Sequence, residues 1–191
     1  SLGLVGSEMC IRDRNAAALV RHCEAFGIQQ MHTVETLCPF RPSADVVRGT
    51  DKWVDIMRHD STAAMLASLR AAGYRIVATT PHRRSCTPES LDVGAGPIAL
   101  VFGTEREGIS PEVAAAADEF LCIPMCGMVE SLNVSASAAI VLYRLSERMR
   151  AGAGGWRLAG REQRELVLRW LRGTVRSADD ILRRAGFDTD R

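Results

Sequence analysis

The stretch PIALVFG, residues 97–103, limits the fold of this chain more than any other. Five consecutive apolar side chains leave no polar face, so a strand built from them must be covered on both sides. EFLCIP at 119–124 reads the same way, as a second buried strand, and YRIVATT at 74–80 reads as a strand ending at Pro81. Segments of helical pattern lie between these runs. Ser61 is placed to cap a helix that continues through Ala72 and stops at Gly73. Ser110-Pro111-Glu112 opens a short helix with proline at its first position. Val134, Ala138, Val141, Leu142 and Leu145 share one face of a long helix. Upstream, Asn15 is placed to cap a helix with Ala16, Leu19, Val20, Cys23 and Phe26 on one face, ended by Gly27. Residues 28–34 and KWVDIMRH (52–59) read as further strands, and 38–50 as a loop with a short helix. Strands alternating with helices predict an α/β fold, a parallel sheet flanked by helices on both faces. Such sheets bind ligands beyond the carboxyl ends of their strands, which directs attention to residues 103–108 and 126–133.

Three regions are expected. Residues 1–14, SLGLVGSEMCIRDR, have neither helical nor strand periodicity and resemble a translated sequencing-adapter read-through. The expectation is that the natural chain resumes near Asn15, with its own beginning lost. A native peptide containing GSEMCIR would overturn that. Residues 15–150 form the main domain. The glycine-rich AGAGG at 151–155 reads as a hinge, and 151–191 as a basic helical C-terminal extension with helices near 161–172 and 177–185. From Arg144 onward there are 12 arginines against 7 acids, on a chain whose net charge is only +1. A basic tail on a near-neutral body suits phosphate contact, although a solvated helical face has the same composition.

No run of about 18 apolar residues is present, so no membrane span is expected. The six cysteines, 10, 23, 38, 86, 122 and 126, are scattered apart from Cys122 and Cys126. A lone C-x3-C pair does not make a zinc site, so no metal is expected, and reduced thiols suit a cytoplasmic protein. There is no G-x-G-x-x-G between strand and helix and no G-x4-G-K-[ST], which weighs against a nicotinamide-dependent oxidoreductase and a P-loop NTPase. Ser131 lacks a hydrolase elbow.

What remains is NAAALVR at 15–21, FGTEREGIS at 102–110 and IPMCGMVESLNVS at 123–135. Together they resemble the three motifs of the SPOUT superfamily of RNA methyltransferases, in particular its TrmH family. RGTDKWVDIMRHDST at 48–62 is similar to the same branch, and the resemblance spans roughly 15–149. It implies a C-terminal trefoil knot, S-adenosylmethionine as cofactor, a homodimer with the active site near its interface, and tRNA rather than DNA as partner. The implied reaction is methylation of a ribose 2′-oxygen, with guanosine-18 of the tRNA D-loop as target. Alternatives are the same chemistry on 23S rRNA or the tRNA wobble nucleotide, and an RNA-binding protein without activity. By resemblance, Arg21, Asn15, Glu105, Ser131 and Asn133 form the catalytic set. Gly103, Thr104, Gly108, Ile123, Met128, Ser131 and Leu132 hold the cofactor. Arg21, Arg157, Arg161, Arg164 and Arg169 contact RNA. Each also has a plain structural reading: Asn15 and Asn133 as helix caps, Arg21 as a solvated arginine beside Glu24, Glu105 as part of a charged turn. The resemblance backs Glu105 over Glu107 and leaves Glu130 without a role. The strand that it requires ahead of Asn15 is not recognisable.

Overall fold

A computed structural model describes residues 2–5, 13–34, 49, 52–83, 85–104, 107–152, 157–158 and 160–187. Along the chain run β1 (Leu2–Val5), α1 (Asp13–Phe26), β2 (Gln30–Val34), β3 (Asp55–His59), α2 (Thr62–Ala71), β4 (Arg75–Thr79), β5 (Ile98–Phe102), α3 (Pro111–Ala116), β6 (Glu119–Leu121), α4 (Val134–Ala151), α5 (Gly160–Thr174) and α6 (Ala178–Arg184). The strands form one sheet, all parallel, in the order β3-β2-β1-β5-β4-β6.

Strand β5 is buried along all five residues, and the reason lies in its two faces. Ile98, Leu100 and Phe102 pack with Leu19, Val20 and Cys23 of α1 and Val134, Ala138, Val141, Leu142 and Leu145 of α4. Ala99 and Val101 pack with Met65, Leu66 and Leu69 of α2 and Val113 of α3. A strand with helices on both faces has no use for a polar side chain. The helix ends follow local chemistry. Ser61 accepts from the Ala64 N–H at 3.1 Å and Ser110 from the Val113 N–H at 3.2 Å. Gly27 and Gly73 take positive φ where their helices stop.

Three expectations are corrected. Residues 2–5 do form a strand, paired with β2 and β5. A four-residue run such as LGLV is too short to display a period, yet a slot between two parallel strands asks of it only an extended backbone. Asn15 is not the cap of α1, because the helix begins at Asp13. Strand β6 is not buried on both faces; it is a three-residue edge strand whose Glu119 and Phe120 are half-buried. Asp118 sets its start, accepting from the Ile76 N–H at 2.7 Å and from Arg70 Nη1 at 2.6 Å. The Arg70 hydrogen bond holds the Asp118 carboxyl below the usual carboxylate range. The expected loop and short helix at 38–50 and most of the glycine-rich hinge lie outside the described residues.

The chain divides into two compact units, Ser1–Gly154 and Gly155–Arg191. In the second, α5 and α6 are joined by a hydrogen bond from Arg172 Nε to Asp179 Oδ1 at 2.8 Å. No helix among the described residues is long and apolar enough to cross a membrane.

Candidate functional site

Three strands of the first unit end at one cavity of about 230 Å³. From β4 come Thr79, Thr80, Pro81 and His82. From β5 come Phe102, Gly103, Thr104, Glu107 and Gly108. Past β6 the chain adds Leu121, Ile123, Met125, Glu130, Ser131 and Leu132, and α4 closes the wall with Val134 and Ser137. This is the carboxyl edge of the sheet, where parallel folds bind ligands.

Two glycines make the β5 side. A Cβ at Gly103 would stand 2.0 Å from the carbonyl carbon of Gly108, 2.3 Å from its oxygen and 2.3 Å from the Ile109 nitrogen. Only a residue without a side chain lets the returning loop pass so close. Gly108 has φ of 71°. The loop is closed by the Thr104 N–H donating to Gly108 O at 2.8 Å and the Gly108 N–H to Thr104 O at 3.1 Å, with the Glu107 N–H on Thr104 Oγ1 at 2.9 Å.

Asn133 builds the junction beside the cavity. Its Oδ1 accepts from the Ser135 N–H at 2.8 Å and the Ala136 N–H at 3.4 Å, the N-cap of α4. Its Nδ2 donates to Asn15 Oδ1 at 3.3 Å, joining two residues 118 positions apart in sequence. Asn133 therefore fixes where α4 starts and ties that start to α1.

Of the expected residues, Gly103, Thr104, Gly108, Ile123, Ser131 and Leu132 line the cavity. Asn15 and Asn133 meet next to it. Met128 does not line it: it sits in a bend at 127–128 and is fully exposed. Arg21 is exposed on α1, about 9 Å along the helix axis from Asn15. Glu105 lies outside the described residues, while its neighbour Glu107 is on the wall. Arg157, Arg161, Arg164 and Arg169 are exposed residues of the second unit, with Arg161 paired to Glu165 at 2.8 Å. The reading of the sequence passed over Thr79, Thr80, Pro81, His82, Met125, Glu130 and Ser137. The first four were within reach, because the carboxyl-edge argument applied to β5 and β6 holds equally for β4.

The cavity is apolar toward the core, through Phe102, Leu121, Ile123 and Val134. It is polar at its rim, through Thr80, Thr104, Ser131 and Ser137. The carboxylates Glu107 and Glu130 and the imidazole of His82 lie in its lining, with no Lys or Arg among the described residues there. Such a wall suits an uncharged flat ring at depth and a cationic group near the mouth.

The sequence relations agree with this geometry. The family model described as SpoU rRNA Methylase family matches residues 7–143. The chain is 32% identical over 170 residues to the tRNA (guanosine(18)-2′-O)-methyltransferase of Borreliella burgdorferi, covering 89% of this chain and 78% of that one. It superimposes on the A. aeolicus TrmH/SpoU tRNA modifying enzyme with a TM-score of 0.76 at 28% identity, over 92% and 90% of the two chains. It also matches the AdoMet-bound rRNA methyltransferase of Sinorhizobium meliloti, with a TM-score of 0.67 at 27% identity, over 78% of this chain and 56% of that one. A parallel sheet whose β4, β5 and β6 ends wall one cavity with these motif residues, matched over 7–143, identifies the chain: it belongs to the SpoU rRNA methylase family.

Proposed function

We propose that this protein transfers a methyl group from S-adenosylmethionine to a ribose 2′-hydroxyl of tRNA, at guanosine-18 of the D-loop. The observation that carries the reading is the cavity at the ends of β4, β5 and β6, walled by Gly103, Thr104, Gly108, Ile123, Ser131 and Leu132. The relatives named for that reaction support the choice of substrate. Beyond the catalytic unit, the exposed Arg157, Arg161, Arg164 and Arg169 supply cations for an RNA backbone.

The residues fit the cofactor. Gly103 and Gly108 let the loop fold back on itself at the cavity wall, where its backbone groups would be free to hold an adenosine. Glu107 and Glu130 would offer negative charge to the cationic groups of the cofactor. S-adenosylmethionine supplies a methyl already activated on sulfur, so the chain's share is positioning and handling of the hydroxyl proton. Arg21 is proposed to hold a phosphate and orient the ribose. A guanidinium that stays protonated below about pH 12 does not take a proton at neutral pH, so the proton passes to water or another group.

We further propose a homodimer. Met128, Val129 and Leu132 on the cavity loop, with Ile140 and Tyr143 on the outer face of α4, are exposed large apolar residues. Apolar surface of this kind is expected to be covered by a second copy, with the active site beside that interface. A trefoil knot is also proposed. Residues 85–91 are clasped from two sides: Phe120 O of β6 accepts from the Ser85 and Cys86 N–H groups, and Arg148 Nη1 of α4 donates to Pro88 O and Leu91 O, both at 2.8 Å. The chain leaving β6 would then return as α4 on the far side of that loop.

The test is Arg21→Ala with labelled S-adenosylmethionine and a tRNA transcript. Methyl transfer should be abolished while cofactor affinity stays within about twofold. Equal loss of both would contradict the role given to Arg21.

A further inference from the structure

Among the described residues of the first unit, five arginines are already committed. Arg70 is paired to Asp118 at 2.6 Å, Arg75 to Glu119 at 2.7 Å and Arg144 to Glu147 at 2.6 Å. Arg148 is spent on the carbonyls of Pro88 and Leu91, and Arg150 on Ser146 Oγ at 3.0 Å. Arg83 is different. It is exposed, has no carboxylate partner among the described residues, and its guanidinium carbon lies 5.2 Å from the centroid of the Phe120 ring. An aromatic face orients a guanidinium without neutralising it.

The backbone on either side of Arg83 is anchored. Before it, the His82 N–H donates to Thr80 Oγ1 at 3.2 Å, closing a small turn that puts His82 on the cavity wall. After it, Ser85 and Cys86 donate their N–H groups to Phe120 O at 3.0 and 3.1 Å, and the Phe120 N–H donates to Ser85 Oγ at 2.6 Å. Arg83, next to the cavity wall, therefore lies between two anchored points of the backbone, above a ring of the edge strand. Nothing in the core requires a cation there, and a flexible surface arginine would need neither staple nor ring.

We infer that Arg83 is a positioning residue that holds a backbone phosphate of the RNA strand next to the nucleotide entering the cavity. The inference rests on the reading that the cavity methylates RNA. It adds a docking point on the β4–β5 loop, separate from Arg21 and from the arginines of the second unit. Phe120 acts through Arg83 by seating its guanidinium, which then offers a fork of N–H donors to a phosphate. A lysine would keep the charge but lose that fork.

The experiment measures binding of an unmodified tRNA transcript by fluorescence anisotropy across a salt series, with S-adenosylmethionine affinity by calorimetry on the same preparations. For Arg83→Ala, tRNA affinity should fall about tenfold, and the slope of log affinity against log salt should become shallower by about one. Cofactor affinity should stay within about twofold, which also reports an intact fold. Arg83→Lys should restore the salt slope but less than half of the affinity. Phe120→Leu should weaken tRNA binding by about threefold with the slope unchanged. In turnover, Arg83→Ala should raise KM for tRNA and leave kcat within about threefold. Wild-type tRNA affinity and salt slope in Arg83→Ala would overturn this inference and leave the proposed reaction standing. A wild-type protein that binds neither S-adenosylmethionine nor tRNA would overturn both.

Discussion

Replacing Gly103 by alanine tests the cavity's construction at its tightest point. The added Cβ would meet the Gly108 carbonyl carbon at 2.0 Å and the Ile109 nitrogen at 2.3 Å, against ordinary contact beyond about 3.4 Å. Both obstacles are backbone, so no side chain can rotate away and the loop must move by more than 1 Å. That motion breaks the paired Thr104–Gly108 hydrogen bonds at 2.8 and 3.1 Å, each worth about 0.5–1.5 kcal/mol. Strain from overpacking adds about 1–3 kcal/mol. The sum is about 4 kcal/mol, which for a chain of this size lowers Tm by about 8–16 °C. Because the displaced loop is a cavity wall, S-adenosylmethionine affinity should fall at least about tenfold. Thermal unfolding by circular dichroism and calorimetric titration read the two effects. Gly173→Ala is the matched control, since no atom lies within 4 Å of its Cβ position in α5, and alanine favours a helix by about 0.5–1 kcal/mol. A Gly103→Ala protein with wild-type Tm and cofactor affinity would refute the close approach of the two loop arms.

Asn133→Ala removes the cap of α4 and the bond to Asn15, and should cost about 1–2 kcal/mol in urea unfolding. Asn133→Asp keeps the acceptor and should recover most of it. The pair His32 Nδ1 in the middle of β2 and His59 Nε2 at the end of β3, 2.9 Å apart, predicts acid sensitivity. Burial, and then the charge of His59, push the His32 pKa down to about 4, so the unfolded chain binds a proton first as pH falls below about 6.5. Stability should therefore drop by about 2 kcal/mol between pH 7 and pH 4.5. His32→Gln should remove that part of the slope; an identical slope in the variant would count against the buried imidazole as its cause.

Much of the scaffold was legible because its causes are local. The apolar run at 97–103 announced a doubly covered strand and became β5, residues 98–102. Ser61, Gly73, Ser110 and Pro111 marked helix ends through chemistry that acts within a few residues. The failures share the opposite cause. Strand β1 exists because β2 and β5 leave a gap between them, which four residues of sequence do not reveal. Asn15 looked like a cap, but Asp13 starts the helix and Asn15 meets a residue 118 positions away. Strand β6 looked interior because the run from Phe120 to Pro124 is apolar, yet it stands at the sheet edge, where burial is one-sided. At the site, the glycines and polar residues of the two later loops were visible as motifs. His82 and Glu130 belong to no spacing rule; only the convergence of three strand ends brings them to one cavity.

The central claim is that this cavity moves a methyl group onto tRNA ribose. Its most direct measurement is incubation of the protein with methyl-labelled S-adenosylmethionine and total RNA, followed by mapping of the labelled nucleotide. Label is expected in tRNA, on the 2′-oxygen of guanosine-18, and none where that position is already methylated. Label confined to rRNA, or transferred to a base instead of a ribose oxygen, would contradict it.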